Sequence, residues 1–390
     1  MKKSISIFFL FLSVSVFAQG KEEFSVTYNR NIETYFLAEL FAVDYRKTNT
    51  SFEQYKRTEC RKYQPIIAET LKAYGYLKNS KIAKLTAALN DTLVSYGMGN
   101  DLLMAPLLYQ KEFPTSDYSS GYKFTDNRFS AGQQSVINGI IKKYIRELGE
   151  FYKSENLQLL FKKYQKFYTG AIKEVSNLIP PKFTDALESF YGEKKLSYTV
   201  LVSPMMMWPI EDNEGRGIGP AVETPEGTKV FEIMSPYVRV ESNKRIDSYS
   251  AFGYNYKPRA MMLTIHEFSH SFVNKEVEKY SERIKETDSV FTKSKLKSLM
   301  ESKGVQSWKT YILESIVRLG EIRIAELQDD KQRANDLRKY HIEIEHFIHL
   351  PLLEEKIKLY EADRKKYPKH GDFLPELLTV FEETDIAQKL

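Results

Sequence analysis

Thr264-Ile265-His266-Glu267-Phe268-Ser269-His270-Ser271-Phe272-Val273-Asn274 is the stretch around which the chain is organised. Residues four apart on an α-helix share a face, so His266 and His270 can offer both imidazoles to one ion. Glu267 is rotated by about 100° from His266, which lets it reach a water at that ion without taking a ligand position. Met261, Met262, Leu263, Ile265, Phe268, Phe272 and Val273 surround the polar trio. His and Glu are costly to bury in such company without a partner such as a metal. The spacing predicts an active-site helix over about 259–274, closed at Asn274, a residue type that tolerates a helix C-terminus.

His266 to Asn274, HEFSHSFVN, resembles the active-site helix of zincin metallopeptidases. More narrowly, it resembles an uncharacterised family of secreted bacterial proteins, catalogued as a domain of unknown function and suspected to be gluzincin-like. The sharp match is confined to that helix. A looser one, with a helical first half and strands before the motif, extends over most of the chain. The resemblance implies a zinc ion, His266 and His270 as ligands, a third ligand downstream, and hydrolysis of peptide bonds. It also implies a small sheet before the helix, with an edge strand along the cleft.

A catalytic zinc site needs that third protein ligand and keeps a fourth position open. The metzincin pattern is absent, because its Gly falls on Val273 and its third His on Glu276. The gluzincin pattern places a glutamate on a later helix. Glu314, within Tyr311-Ile312-Leu313-Glu314-Ser315-Ile316-Val317-Arg318, is the expected ligand, and Glu321 is the runner-up. Arg318 stands where some gluzincins carry an aspartate that braces a zinc histidine, so bracing must come from elsewhere. Thr310, Glu314, Arg318 and Glu321 also form a polar stripe that a solvent-facing helix would show.

Upstream of the motif, Leu196, Tyr198, Val200 and Val202 alternate with polar residues and predict a half-buried strand. Thr228–Met234 and Tyr237–Val240 read as further strands, giving a small sheet over 196–241. Between them, Glu211–Gly227 is rich in Gly and acid. Gly215, Gly217 and Gly219 are not a G-x-G-x-x-G fingerprint, and strands follow them, which excludes a nucleotide site. A lid near the active site and an ordinary surface loop both fit this stretch. From Glu23 to Tyr191 the pattern is helical: Asn31 is an expected cap, Pro65 a kink or boundary, and Gly97 a helix end. Tyr144, Phe151, Phe161, Tyr164, Phe167 and Tyr168 recur as expected for packing between helices.

Met1–Ala18 reads as a secretory signal, with Lys2 and Lys3, an apolar core from Ile5 to Phe17, and a Val-Phe-Ala cleavage site. The apolar run is shorter than a membrane span requires. The single cysteine, Cys60, allows no disulfide within the chain. A net charge of +5, milder still once the two signal lysines are removed, does not imply nucleic acid or a membrane surface.

The expected architecture is α+β and predominantly α, with a helical portion over 19–195 and a zincin-like portion over 196–390. The expected activity is that of an exported zinc peptidase, periplasmic or secreted, with Glu267 as general base and a peptide or protein as substrate. A non-catalytic zincin-fold binding protein, and a zinc hydrolase of a non-peptide bond, stay open. After the motif, Lys275–Ile284, Ser307–Leu327, Lys331–Glu361 (divided by Pro351) and Phe373–Glu382 read as helices. His341, Glu345, His346 and His349 fit a solvated helix face. A transition-state helper would come from Tyr311, Arg318, His341, His346 or His349.

Overall fold

The predicted strand at Leu196 is the middle of the sheet. In the computed structural model, which describes residues 24–115, 121–126, 128–180, 182–211, 214–292, 294–301 and 303–382, five strands form that sheet. They are β1 (Phe24–Thr27), β2 (Ser197–Val202), β3 (Gly217–Ile218), β4 (Ala221–Thr224) and β5 (Gly227–Met234). β1, β2 and β5 run parallel in that spatial order, and β3 and β4 lie antiparallel along the outer side of β5. Helices make up most of the rest, so the fold is α+β and predominantly α. The expected signal segment, 1–18, lies outside the described residues.

Alternation along the strands sorts their side chains between two apolar cores. Tyr198, Val200, Val202, Val230 and Met234 enter one core, whereas Leu201 and Ile233 enter the other. The strand expected to be half-buried is therefore covered on both faces, as parallel strands usually are. β1 lies in a stretch read as helical. Its four residues are too few for a period to show, and its partner is distant: Ser25 Oγ meets Thr199 Oγ1 at 3.1 Å. Tyr237–Val240 is not a strand, because Pro236 interrupts the ladder and the amides of Tyr237 and Val238 both bond Gly253 O instead.

The core on the N-terminal side is built on helix Arg30–Ala42, buried along nearly its whole length, and on helices Ala131–Ser154 and Leu157–Leu178. The six aromatics named above are all buried here. Asn29, not Asn31, caps the first helix, while the buried Asn31 amide bonds Leu107 O at 2.9 Å and accepts from Phe113 N at 2.8 Å. Pro65 opens a new helix, Pro65–Ala73, after Thr50–Tyr63.

The other core holds the motif helix, Lys257–Glu278, packed between β5 and a partner helix, Trp308–Leu327. The motif helix starts with Pro258 in its first turn and continues four residues past Asn274, so Asn274 does not end it. Lys331–Lys339 gives way to a π turn, Tyr340–Ile344, and a new helix, Leu350–Ala362, carries Pro351 in its first turn. His370–Glu382 closes this core. No described helix is long and apolar enough to cross a membrane.

Candidate metal centre and its cleft

The motif helix presents His266 and His270 on one face, as their spacing requires. Glu314 reaches them from the partner helix, whose own start is fixed by Ser307 accepting from Thr310 N. His266 Nε2 and His270 Nε2 stand 3.1 Å apart, and Glu314 carboxylate oxygens lie 3.6 Å from the first and 3.7 Å from the second. Ligand atoms about 2.1 Å from a tetrahedral zinc are separated by about 3.4 Å, so this triangle has the right size for one ion. The three residues form a group of potential ligands within 4.8 Å of one another.

Each ring's other nitrogen is engaged. His266 Nδ1 lies 2.8 Å from Glu321 Oε1, and His270 Nδ1 lies 3.0 Å from Asn274 Oδ1. Both oxygens accept, so both Nδ1 atoms donate and both Nε2 lone pairs converge on one point. That convergence is repulsive unless a cation or a proton lies between them. The donor set, two imidazoles and one carboxylate, suits zinc.

Glu321 thus stands behind His266 and outside the group of potential ligands, and it is almost fully buried. Its Oε2 accepts from His341 Nε2 at 3.1 Å, continuing the chain of polar contacts away from the site. Glu314, Arg318 and Glu321 do form a stripe, but it faces the motif helix rather than solvent. Arg318 bonds Glu314 Oε2, lies 3.5 Å from Glu345 and sits 4.0 Å from the centre of the Phe347 ring. Burial alone would raise the Glu314 carboxyl, but Arg318 and the two imidazoles outweigh it and hold it at about 2. Burial works against a charged His266, yet the Glu321 hydrogen bond and the nearby carboxylates push the free imidazole up to about 9. A cation binding Nε2 there displaces a proton.

Glu267 is 8% exposed, and burial pushes its carboxyl up. It lies directly beneath the glycine-rich segment. A Cβ on Gly217 would come 2.4 Å from Glu267 Oε1, and one on Gly219 would come 2.5 Å from Glu267 O. Only glycine lets this backbone approach so closely. Arg216 N bonds Ser235 Oγ, Arg216 O accepts from Ser235 N, and Pro220 O accepts from Phe231 N. The main-chain groups of Gly217 and Gly219 alternate with these, so they point away from β5. The segment left open between lid and loop is therefore the edge of the sheet.

Edge, motif helix and partner helix wall a cleft of about 770 Å³, and Asp101, Leu102, Ala105 and Tyr122 form its opposite side. Arg216 also lines it, with Nη2 3.0 Å from Asn100 Oδ1 and the guanidinium beside Trp208. No pattern around Asp101, Tyr122 or Arg216 marked them in the sequence, because folding alone brings them opposite the motif. Asn274 did carry a signal, its four-residue offset from His270. Glu232 is wholly buried on β5, and burial drives its carboxyl far up; Thr264 opposes the rise and the nearby Glu267 adds to it.

None of the candidate helpers lines the cleft. Tyr311 and His349 are buried against each other at 2.9 Å, His341 is buried on Glu321, and Arg318 is engaged by Glu314. His341, Glu345, His346 and His349 do not form a solvated helix face. The π turn and the positive φ of His346 (63°) break the helix and turn His341 and His349 inward.

No curated protein and no solved structure matches this chain. One family model matches residues 117–380, which include the sheet's four later strands, the motif helix and the partner helix, and the chain therefore belongs to the family described as domain of unknown function DUF4932.

Proposed function

We propose that this protein is an exported zinc-dependent peptidase. The observation that carries the reading is the convergence of His266 Nε2, His270 Nε2 and Glu314 on one point, with both Nδ1 atoms engaged from behind. His266, His270 and Glu314 would hold the zinc, which when bound supplies a Lewis acid that polarises a carbonyl and acidifies water. Glu267 takes the proton of the attacking water and returns it to the leaving amine. Burial beneath Gly217 and Gly219 raises its basicity and keeps bulk water from it. The outward main-chain groups of those glycines fit an extended peptide added as a further strand, which favours a peptide substrate.

The test is digestion of a broad peptide library by wild type, by Glu267→Gln and by chelator-treated wild type, with zinc analysis of each. Glu267→Gln is expected to keep its zinc and lose roughly 10²–10⁴-fold in rate, about 3–5 kcal/mol of barrier. Equal cleavage by the variant would remove Glu267 as base. Tight zinc binding with no cleavage by wild type would favour a binding protein or a non-peptide substrate.

A further inference from the structure

Away from the cleft, helices Thr50–Tyr63 and Pro65–Ala73 and the segment 242–249 enclose a hollow of about 940 Å³. Six cations line it: Arg57, Arg61, Lys72, Lys78, Lys244 and Arg245, against two carboxylates, Asp44 and Glu69. The lining therefore carries a local surplus of four positive charges.

Both carboxylates are already engaged. Asp44 takes both terminal nitrogens of Arg57, at 2.7 and 3.0 Å, and Glu69 bonds Lys163 at 2.7 Å. Arg245 pairs with Asp247 at 3.0 Å. Among the described residues no ion pair is formed by Arg61, Lys72, Lys78 or Lys244, although Lys78 lies near enough to Asp44 to help hold its carboxyl down. Like charges held around one concavity repel, and the natural relief is a bound anion.

The wall is built rather than loose. The buried Tyr249 hydroxyl accepts from Lys244 N at 3.0 Å and donates to Glu241 O at 3.0 Å, fixing the turn that carries Lys244. Val240 N and Ser242 N bond Tyr63 O and Lys62 O, tying this segment to the end of the Thr50–Tyr63 helix. Ser242 Oγ, in the lining, is buried with no hydrogen-bond partner. A buried hydroxyl left so is costly and fits a ligand oxygen. Phe41 and Pro65 supply an apolar floor, and the volume suits a small molecule rather than a polymer duplex.

We propose that this hollow binds a small polyanion bearing two or more phosphate or sulfate groups. It shares no lining residue with the cleft, so it stands whether or not the protein is a peptidase.

The experiment is titration calorimetry on the full chain with inorganic tripolyphosphate and with sucrose octasulfate, citrate serving as the carboxylate control. It is run in about 150 mM salt, where screening over about 8 Å suppresses diffuse attraction. Saturable binding of one molecule per chain by either probe is expected, and the probe preferred separates phosphate from sulfate. Lys72→Gln with Lys244→Gln should weaken it roughly tenfold or more, and Ser242→Ala by a few-fold. Unchanged melting of these variants excludes misfolding as the cause. No saturation by either probe up to millimolar concentration would overturn the proposal. So would tighter binding of citrate, or an equal loss in the exposed control pair Lys143→Gln with Lys162→Gln.

Discussion

Two buried glutamates, one in each core, show how differently the fold can treat the same side chain. Glu33, on the helix Arg30–Ala42, is surrounded by neutral donors. Tyr168 Oη lies 2.6 Å away, Met205 N 3.3 Å away, and Ser203 Oγ bonds the other oxygen. Burial outweighs these bonds and pushes its carboxyl up to about 7. Glu321, as deeply buried, faces the imidazoles of His341 and His266, which overcome burial and hold it well below the usual carboxylate range. Burial raises a carboxyl, and only charged or chargeable partners reverse the sign. One carboxyl is a structural acid near its neutral form; the other is a permanent anion aimed at a candidate ligand.

The largest effect is expected at the candidate metal centre. Glu314→Ala should abolish zinc retention through gel filtration, because it removes a ligand, and metal analysis reads this directly. Glu321→Gln keeps all three ligands but loses the anion behind His266. Its zinc affinity should fall about 10–100-fold in competition with a chromogenic chelator. Full retention in Glu314→Ala with complete loss in Glu321→Gln would exchange their roles. Asn274→Ala, which removes a neutral acceptor from His270, should weaken zinc less than Glu321→Gln does.

At Glu33 the expected effect falls on stability rather than on zinc, and it has the opposite pH sense to Glu321. A carboxyl raised from 4.5 to about 7 binds more protons folded than unfolded between those values. Its stabilising contribution is therefore complete below about pH 4.5 and is lost as pH rises through 7, on the order of 3 kcal/mol in all. Denaturant melts of wild type and Glu33→Gln at pH 5 and pH 8 should show a shallower loss in the variant. Equal slopes would mean that Glu33 does not titrate in this range.

The sequence alone determined the elements whose signal is local. The four-residue spacing of His266 and His270, the alternation of Tyr198, Val200 and Val202, and the stripe from Thr310 to Glu321 predict where helices and strands lie, because periodicity is a property of neighbours. The Glu314 and Glu321 pair was visible as two carboxylates on one stripe. Which of them faces the imidazole nitrogens was not, since it depends on how two helices cross. Asp101, Tyr122 and Arg216 come to the cleft, β1 to β2, and Lys72 to Lys244, from segments far apart in the chain. Only tertiary packing decides such meetings, because burying the apolar faces of the sheet and helices fixes the positions of polar groups that themselves carry no long-range pattern.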